Sequence, residues 1–339
     1  MDERQADVEL APIVTTNQPL LAIDDLHVEF KADHGIVRAV DVVSFTVRAG
    51  QTVAVLGESG SGKSVTARAV MGLTRGPNCR ITEGTIRFRG VDLVSLPEKQ
   101  RRRLRGRHIG MVFQDALSAL NPVMTVGYQV AEVLRTHEQM SRGEARRRAV
   151  DMLDMVKIPG AKTRVDNFPH QFSGGMRQRV MIAMALAGNP ELVIADEPTT
   201  ALDVTVQAQI IELLAELQAD RGMALMLITH DIGVVAEVAE RVVVMYAGRV
   251  MEQGPTEQIC GSPAHPYTRA LLNSVPRPGL RGRPLPMIPG SPPDPANLPH
   301  GCAFSPRCSH TTARCLEDAP QPHNVVLGHT SACHKWEMP

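Results

Sequence analysis

A mainly parallel β-sheet flanked by helices, an α/β fold, is predicted by three features of the sequence. Short β-branched runs alternate with helix-like stretches. Four of the runs, at 53–56, 192–195, 224–229 and 241–246, are apolar apart from a terminal Thr229 and Arg241, as strands buried on both faces are. A glycine-rich turn follows the first of them and leads into a helix-forming segment at 65–71. The other elements fall around this core in order. Segments 21–30, 37–47 and 84–89 alternate apolar with polar residues and predict an antiparallel β patch. Residues 118–188 are rich in Ala, Met, Arg and Glu and poor in strand formers, which predicts a helical insert spanning about 115–188. Val206, Ile210, Leu213, Leu214 and Leu217 have the spacing of one buried helical stripe. Sixteen of the 25 prolines lie from Pro255 onward, so a separate arm is expected over 256–339, after a core domain at 19–255 and a polar tail at 1–18.

Composition narrows the function. At 339 residues and 43% hydrophobic the chain can bury a real core, which excludes wholesale disorder. Thirty-six Lys plus Arg balance thirty-six Asp plus Glu, so no global field draws the chain to nucleic acid or acidic lipid. Its apolar runs are shorter than the ~18 residues of a membrane-spanning helix. The first 18 residues carry five charges and lack a signal-peptide pattern, which is expected of a short tail on a cytosolic protein.

The segment Gly57-Glu58-Ser59-Gly60-Ser61-Gly62-Lys63-Ser64 matches G-x-x-x-x-G-K-[ST] in the strand-to-helix context that this motif requires. Its glycines let backbone N–H groups and a helix N-terminus face phosphate oxygens. Lys63 would reach the β and γ phosphates and the Ser64 hydroxyl would bind Mg²⁺. A purely structural glycine turn has no use for Lys then Ser directly after the last glycine. Downstream, Asp196 and Glu197 end a buried strand at its C-terminal edge, where open α/β sheets bind ligands. Asp196 can hold the metal and Glu197 can polarise the attacking water, since phosphoryl transfer needs positioning and charge neutralisation above all. Alone, the acidic pair could equally cap the next segment; beside the cradle, it predicts a P-loop NTPase core that binds ATP with Mg²⁺.

A second helix start of this kind is present. Phe172-Ser173-Gly174-Gly175-Met176 opens a helix with a hydroxyl and two glycines. One nucleotide does not need two such cradles on one face, so the second is expected to grip a nucleotide held by another protomer in a head-to-tail pair.

With these motifs the sequence resembles the ATP-binding subunits of ABC transporters, from residue 21 to about 255. The resemblance makes Ser173, Gly174 and Gly175 the signature loop that touches the partner's γ-phosphate. Phe172 and Met176 stand where Leu and Gln are commonest in the family, a form similar to the peptide-importer branch. It makes Gln114 the loop residue that touches Mg²⁺, Ala201-Leu202-Asp203 the loop that crosses the dimer interface, and His230 the histidine on the γ-phosphate. Phe30, 27 positions before Gly57, is the candidate for stacking on adenine. Outside this pattern each of these residues would be read as an ordinary loop or core residue.

The arm carries His265-Pro266-Tyr267-Thr268-Arg269-Ala270-Leu271-Leu272, which resembles the segment after the ATPase core in oligopeptide and dipeptide importer subunits. Beyond it Cys302, Cys308, Cys315 and Cys333 offer four soft ligands in a stretch too Pro-rich to build a large core. Spacing alone leaves Zn²⁺, a [4Fe-4S] cluster and plain cysteines open, with His300, His310 and His334 as alternative zinc ligands. The family resemblance points to the iron–sulfur site. Cys79 and Cys260 are expected to be buried inert thiols. The run Arg101, Arg102, Arg103, Arg105 and Arg107 lacks interleaved aromatics and is expected to be a solvated face rather than a nucleic-acid surface.

The resemblance thus implies an ATPase of a di- or oligopeptide importer, held peripherally on the cytoplasmic face of the plasma membrane. Its partners would be a second ATPase subunit, identical or paralogous, two transmembrane permease subunits and an extracytoplasmic substrate-binding protein. The same machinery importing nickel, glutathione or an opine-like solute stays open, as does a soluble ABC ATPase acting on nucleic acid. The latter would usually carry two cassettes or a basic arm.

Overall fold

The computed structural model describes residues 10, 18–32, 35–74, 76–138, 140–200, 202–274 and 287–335. All but two residues of the expected polar tail, and Ala201, lie outside them. The chain divides into two compact units, one built from Met1–Leu20, Val47–Gln51 and Phe88–Ile228, the other from Leu21–Thr46, Thr52–Arg87 and Thr229–Pro339.

In the first unit the strands Ile109–Val112, Leu192–Asp196 and Ala224–Ile228 pair in parallel, with Val112 opposite Ala195 and Asp196 opposite Ile228. Every residue of the three is buried, which is why 192–195 and 224–228 read as apolar runs, while the four-residue strand Ile109–Val112 went unread in the sequence. The insert is helical as expected, with Val126–Glu138, Arg142–Met155 and Gly174–Leu186 as its long helices. Helix Val204–Arg221 buries Ile210, Ile211, Leu213, Leu214 and Leu217 and stops at Gly222 in the left-handed conformation that glycine adopts freely. The arginine run departs from expectation. Arg101 is 4% exposed and its guanidinium pairs with Glu98 at 2.8 Å, and Arg105 turns onto the same carboxylate, so the run is not one solvated face. Glu98, three residues before Arg101 on the helix Glu98–Leu104, carries the half-exposed carboxylate that both guanidiniums pair with.

In the second unit Gly35–Val47, Leu21–Ala32 and Cys79–Phe88 lie side by side as the expected β patch. A separate run of strands follows the order His323–Val326, His329–Ser331, Arg249–Pro255, Arg241–Tyr246, Thr52–Leu56. Thr52–Leu56 pairs in parallel with Arg241–Tyr246, and the others pair antiparallel. Arm residues thereby enter the same sheet as the strand that leads into the glycine-rich turn. They also share its core, where Tyr246, Tyr267, Phe304 and Cys302 pack with Leu56, Val242 and Val244. Cys79 and Cys260 are half-buried rather than buried, and desolvation raises both thiol pKa values, which keeps them protonated.

Candidate active site and cysteine pocket

The residues predicted to act together are shared between the two units, and each half is built by local geometry. In the second unit the chain leaves Thr52–Leu56, turns through Gly57, Gly60 and Gly62 at φ of 152°, 78° and 98°, and starts the helix Lys63–Val70. Only glycine fits at 57: a Cβ there would lie 2.2 Å from the Met245 carbonyl oxygen. The helix starts with no side-chain cap, whereas Ser141, Ser173, Asp203 and Asp231 each cap theirs. The uncapped start suits a helix whose N-terminal groups serve an anion. Lys63, 4% exposed, curls back so that its ammonium donates to the carbonyls of Gly57 at 2.8 Å and Glu58 at 2.9 Å. Ser61 is buried, Ser64 half-buried, and Ser59 and Gly60 are exposed at the turn.

Phe30, half-buried on Leu21–Ala32, lines a surface pocket of about 460 Å³ with Ile36, Pro77 and Arg80. His230 is exposed in the junction after the strand Ala224–Ile228, where the Asp231 N–H donates to Thr229 Oγ1 and the Asp231 carboxylate caps the helix Ile232–Val238.

In the first unit Asp196 is 1% exposed at the last position of its strand. Glu197 follows at φ 45°, a left-handed conformation unusual for a non-glycine residue, with its N–H donated to Ile228 O at 2.9 Å. Gln114 Nε2 and Thr200 Oγ1 both donate to Glu197 Oε2, at 3.1 and 3.0 Å. The predicted pair of Gln114 and Glu197 is therefore assembled, 83 residues apart in sequence. Thr200 is a third member that the sequence reading missed, although its spacing of three from Glu197 is a turn signal. Ser173 caps its helix by accepting from Met176 N at 3.4 Å. Gly174 approaches Leu202, and Gly175 lies so close to Val206 that a Cβ would come 2.5 Å from Val206 Cγ1. The serine–glycine loop and the start of the Asp203-capped helix are thus packed as one element.

The four arm cysteines line one pocket together with His265 and Ser305. Each sulfur has a hydrogen-bond partner: Cys308 accepts from His310 N and Cys333 from Lys335 N, both at 3.4 Å, Cys302 accepts from the Phe304 backbone, and Cys315 lies within 3.2 Å of Thr312 Oγ1, where either group can donate. Burial pushes the Cys302 thiol up to about 11 and raises Cys333 as well, so a cation is needed to turn them into thiolates. Among the described residues the group of three metal-ligating side chains with donor atoms within 4.8 Å of one another is Asp25, His27 and Glu83, not the cysteines. A single Zn²⁺ would hold sulfurs about 3.8 Å apart.

Comparisons with known proteins identify the family. Residues 40–200 match the ABC transporter family and residues 251–315 match the oligopeptide/dipeptide transporter C-terminal region. A Brucella melitensis protein named as a peptide import ATP-binding protein is 49% identical over 333 residues, 95% of this chain and 98% of that one. A similarly named Brucella abortus protein is 49% identical over 316 residues, covering 93% and 94%. Among solved structures, the ATP-binding cassette MJ0796, described as a dimer in a post-hydrolysis state with ADP and Pi, aligns with TM-score 0.63 and 31% identity over 70% of this chain and 98% of that one. The cbiO1 protein of Clostridium perfringens, part of an ABC transporter complex, aligns with TM-score 0.62 and 28% identity over 73% and 92%. With its cradle, its acidic strand end, its serine–glycine helix start and its cysteine-bearing C-terminal region, the chain belongs to the ABC transporter ATP-binding proteins, in the oligopeptide/dipeptide group.

Proposed function

We propose that this chain hydrolyses ATP to power a di- or oligopeptide importer. ATP would be held by the loop from Gly57 to Ser64, with Phe30 against adenine and Lys63 and His230 on the terminal phosphates. Ser64, Gln114 and Asp196 are the residues that would hold Mg²⁺, which neutralises phosphate charge in phosphoryl transfer. Glu197, fixed by Gln114 and Thr200, would orient and polarise the attacking water. The loop of Ser173, Gly174 and Gly175 would close on the nucleotide of a second ATPase subunit, with Asp203 at the crossing between the two. The observation that carries this reading is that one chain holds both an uncapped phosphate-facing helix start and a second helix opened by a serine and two glycines. The dimeric form recorded for the related cassette supports a pairing of two cassettes.

Two permease subunits and an extracytoplasmic substrate-binding protein complete the proposed importer. No helix among the described residues is long and apolar enough to cross a membrane. Attachment to the cytoplasmic face through permeases fits the exposed apolar side chains Phe113, Leu117, Val123, Tyr128 and Phe168, which a partner could cover. Cys302, Cys308, Cys315 and Cys333 would hold a [4Fe-4S] cluster that ties the arm together.

Glu197→Gln tests the catalytic assignment. It should retain MgATP binding and lose at least about a hundredfold in hydrolysis, the low end for a positioned general base. Unchanged hydrolysis would refute the assignment. For the cysteines, anaerobic purification should give a coloured protein with about four irons per chain, whereas a colourless, iron-free product would remove the cluster. Deleting the gene should abolish uptake of labelled di- or oligopeptides; loss of another solute instead would change the cargo.

A further inference from the structure

The phosphate loop carries an acidic residue whose charge is answered from outside the loop. Glu58, second in the loop, puts a carboxylate beside the backbone that faces the triphosphate, where it would repel the ligand's negative charge. The arm answers that charge. Arg307 Nη1 donates to Glu58 Oε2 at 2.6 Å and Nη2 to Glu58 Oε1 at 3.1 Å, a two-pronged pair across 249 residues of sequence. Tyr267, also from the arm, accepts the Glu58 N–H at 3.0 Å, and the carbonyl of the same residue accepts from Lys63. Side chain, N–H and carbonyl of Glu58 are therefore all held, two of them by the arm.

Arg307 is itself a rigid support. Its side chain is 5% exposed. Its Nε donates to Pro289 O at 2.7 Å, its Nη1 also reaches Tyr246 Oη at 3.2 Å, and the guanidinium lies 5.7 Å from the centre of the Tyr246 ring. Tyr246, Tyr267 and Phe304 pack ring on ring, with centroids 4.7 to 5.4 Å apart. Two of the chain's three tyrosines are spent here. Arg307 ends the turn Ser305–Arg307, directly between Phe304 and Cys308, and Ser305 N donates to Cys302 O at 2.9 Å. The cysteine lobe thus fixes where the guanidinium stands.

We propose that Arg307 is a positioning residue for ATP: it neutralises Glu58 and clamps the phosphate loop to the cysteine lobe, so that the lobe sets the loop's readiness to bind MgATP. The inference rests on the reading of residues 57–64 as the ATP cradle. It assigns the arm a part in the ATP site that a passive tether would not have.

The test is MgATP binding by the full chain, measured by titration calorimetry and by the rise in melting temperature that MgATP produces. Arg307→Ala should weaken binding about tenfold, because it leaves a carboxylate uncompensated beside the phosphates. Arg307→Lys should recover part of the loss, since it restores the charge without the fork. The discriminating variant is Arg307→Ala combined with Glu58→Gln: removing the orphaned charge should bring the affinity back to that of Glu58→Gln alone, whatever that single variant's own value. Glu58→Gln changes neither size nor shape, so it remains informative should Arg307→Ala fold poorly. Wild-type affinity in Arg307→Ala, or a double variant weaker than Arg307→Ala, would overturn the proposal. Lys63→Ala is the control for the cradle: it should abolish measurable binding, and full binding by that variant would overturn the cradle reading itself.

Discussion

Gly175→Ala perturbs the packing that ties the signature loop to the helix Val204–Arg221. The new Cβ would lie 2.5 Å from Val206 Cγ1, against about 3.5–4.0 Å for an unstrained carbon contact, so it is short by at least about 1 Å. Val206 is β-branched and sits in a helix, where it has essentially one rotamer, so it cannot swing aside. The start of Gly174–Leu186 has to move instead. Overpacking of this kind costs about 1–3 kcal/mol, offset by about 1 kcal/mol of helix propensity gained when alanine replaces glycine, which leaves a net loss of about 0–2 kcal/mol. Activity should suffer far more than stability: a displacement near 1 Å in the loop proposed to meet the partner's γ-phosphate costs on the order of a hundredfold. Gly174→Ala is the built-in comparison, since its Cβ would meet the end of the flexible Leu202 side chain at 3.2 Å and can be accommodated. Urea unfolding and steady-state hydrolysis of both variants, together with Gly175→Ala/Val206→Ala, check the reasoning. The double variant removes the clashing methyl groups and should regain most of the lost rate. Wild-type hydrolysis in Gly175→Ala, or no recovery in the double variant, would refute it.

Other expected outcomes follow from single contacts. Thr200→Val removes the hydroxyl that donates to Glu197 Oε2 and should lower hydrolysis about tenfold while leaving the Kd for MgATP near wild type, by parallel turnover and calorimetry. Glu252→Ala should destabilise the fold by about 3–5 kcal/mol in urea titration. Glu252 is 1% exposed, pairs with His329 at 2.7 Å and accepts the N–H groups of Ala264 and His265, all of which would lose their partner. Gly57→Ala should abolish MgATP binding, because its Cβ would strike the Met245 carbonyl and its φ of 152° disfavours a side chain.

The cradle was legible in the sequence because its constraints are local: the glycine spacing, the strand before it and the helix after it are all imposed within eighteen residues, 53 to 70. The buried strands were legible for the same reason, since a run such as Arg241–Tyr246 with five of six residues fully buried has no polar face to disguise it. Pairings that span the chain left no such trace. Nothing near Glu58 announces a guanidinium 249 residues away, and Arg307 reads as an ordinary residue between two cysteines. The arginine run misled because charge alone does not say which way a long side chain turns: Arg101 is 4% exposed while Arg102 beside it faces solvent. The arm was expected to need a metal to hold it together, yet two short strands, His323–Val326 and His329–Ser331, also join it to the sheet. Those strands hold only seven residues with little alternation, below what periodicity can detect.

The account stands on a catalytic centre completed by a second cassette across the triphosphate. Hydrolysis per chain, followed over serial dilution alongside particle mass by light scattering, tests that most directly. Turnover should appear only in particles containing two cassettes, either two copies of this chain or this chain with a companion, and should fall away as dilution separates them. A constant rate per chain in a particle that remains a single chain at every concentration would contradict it.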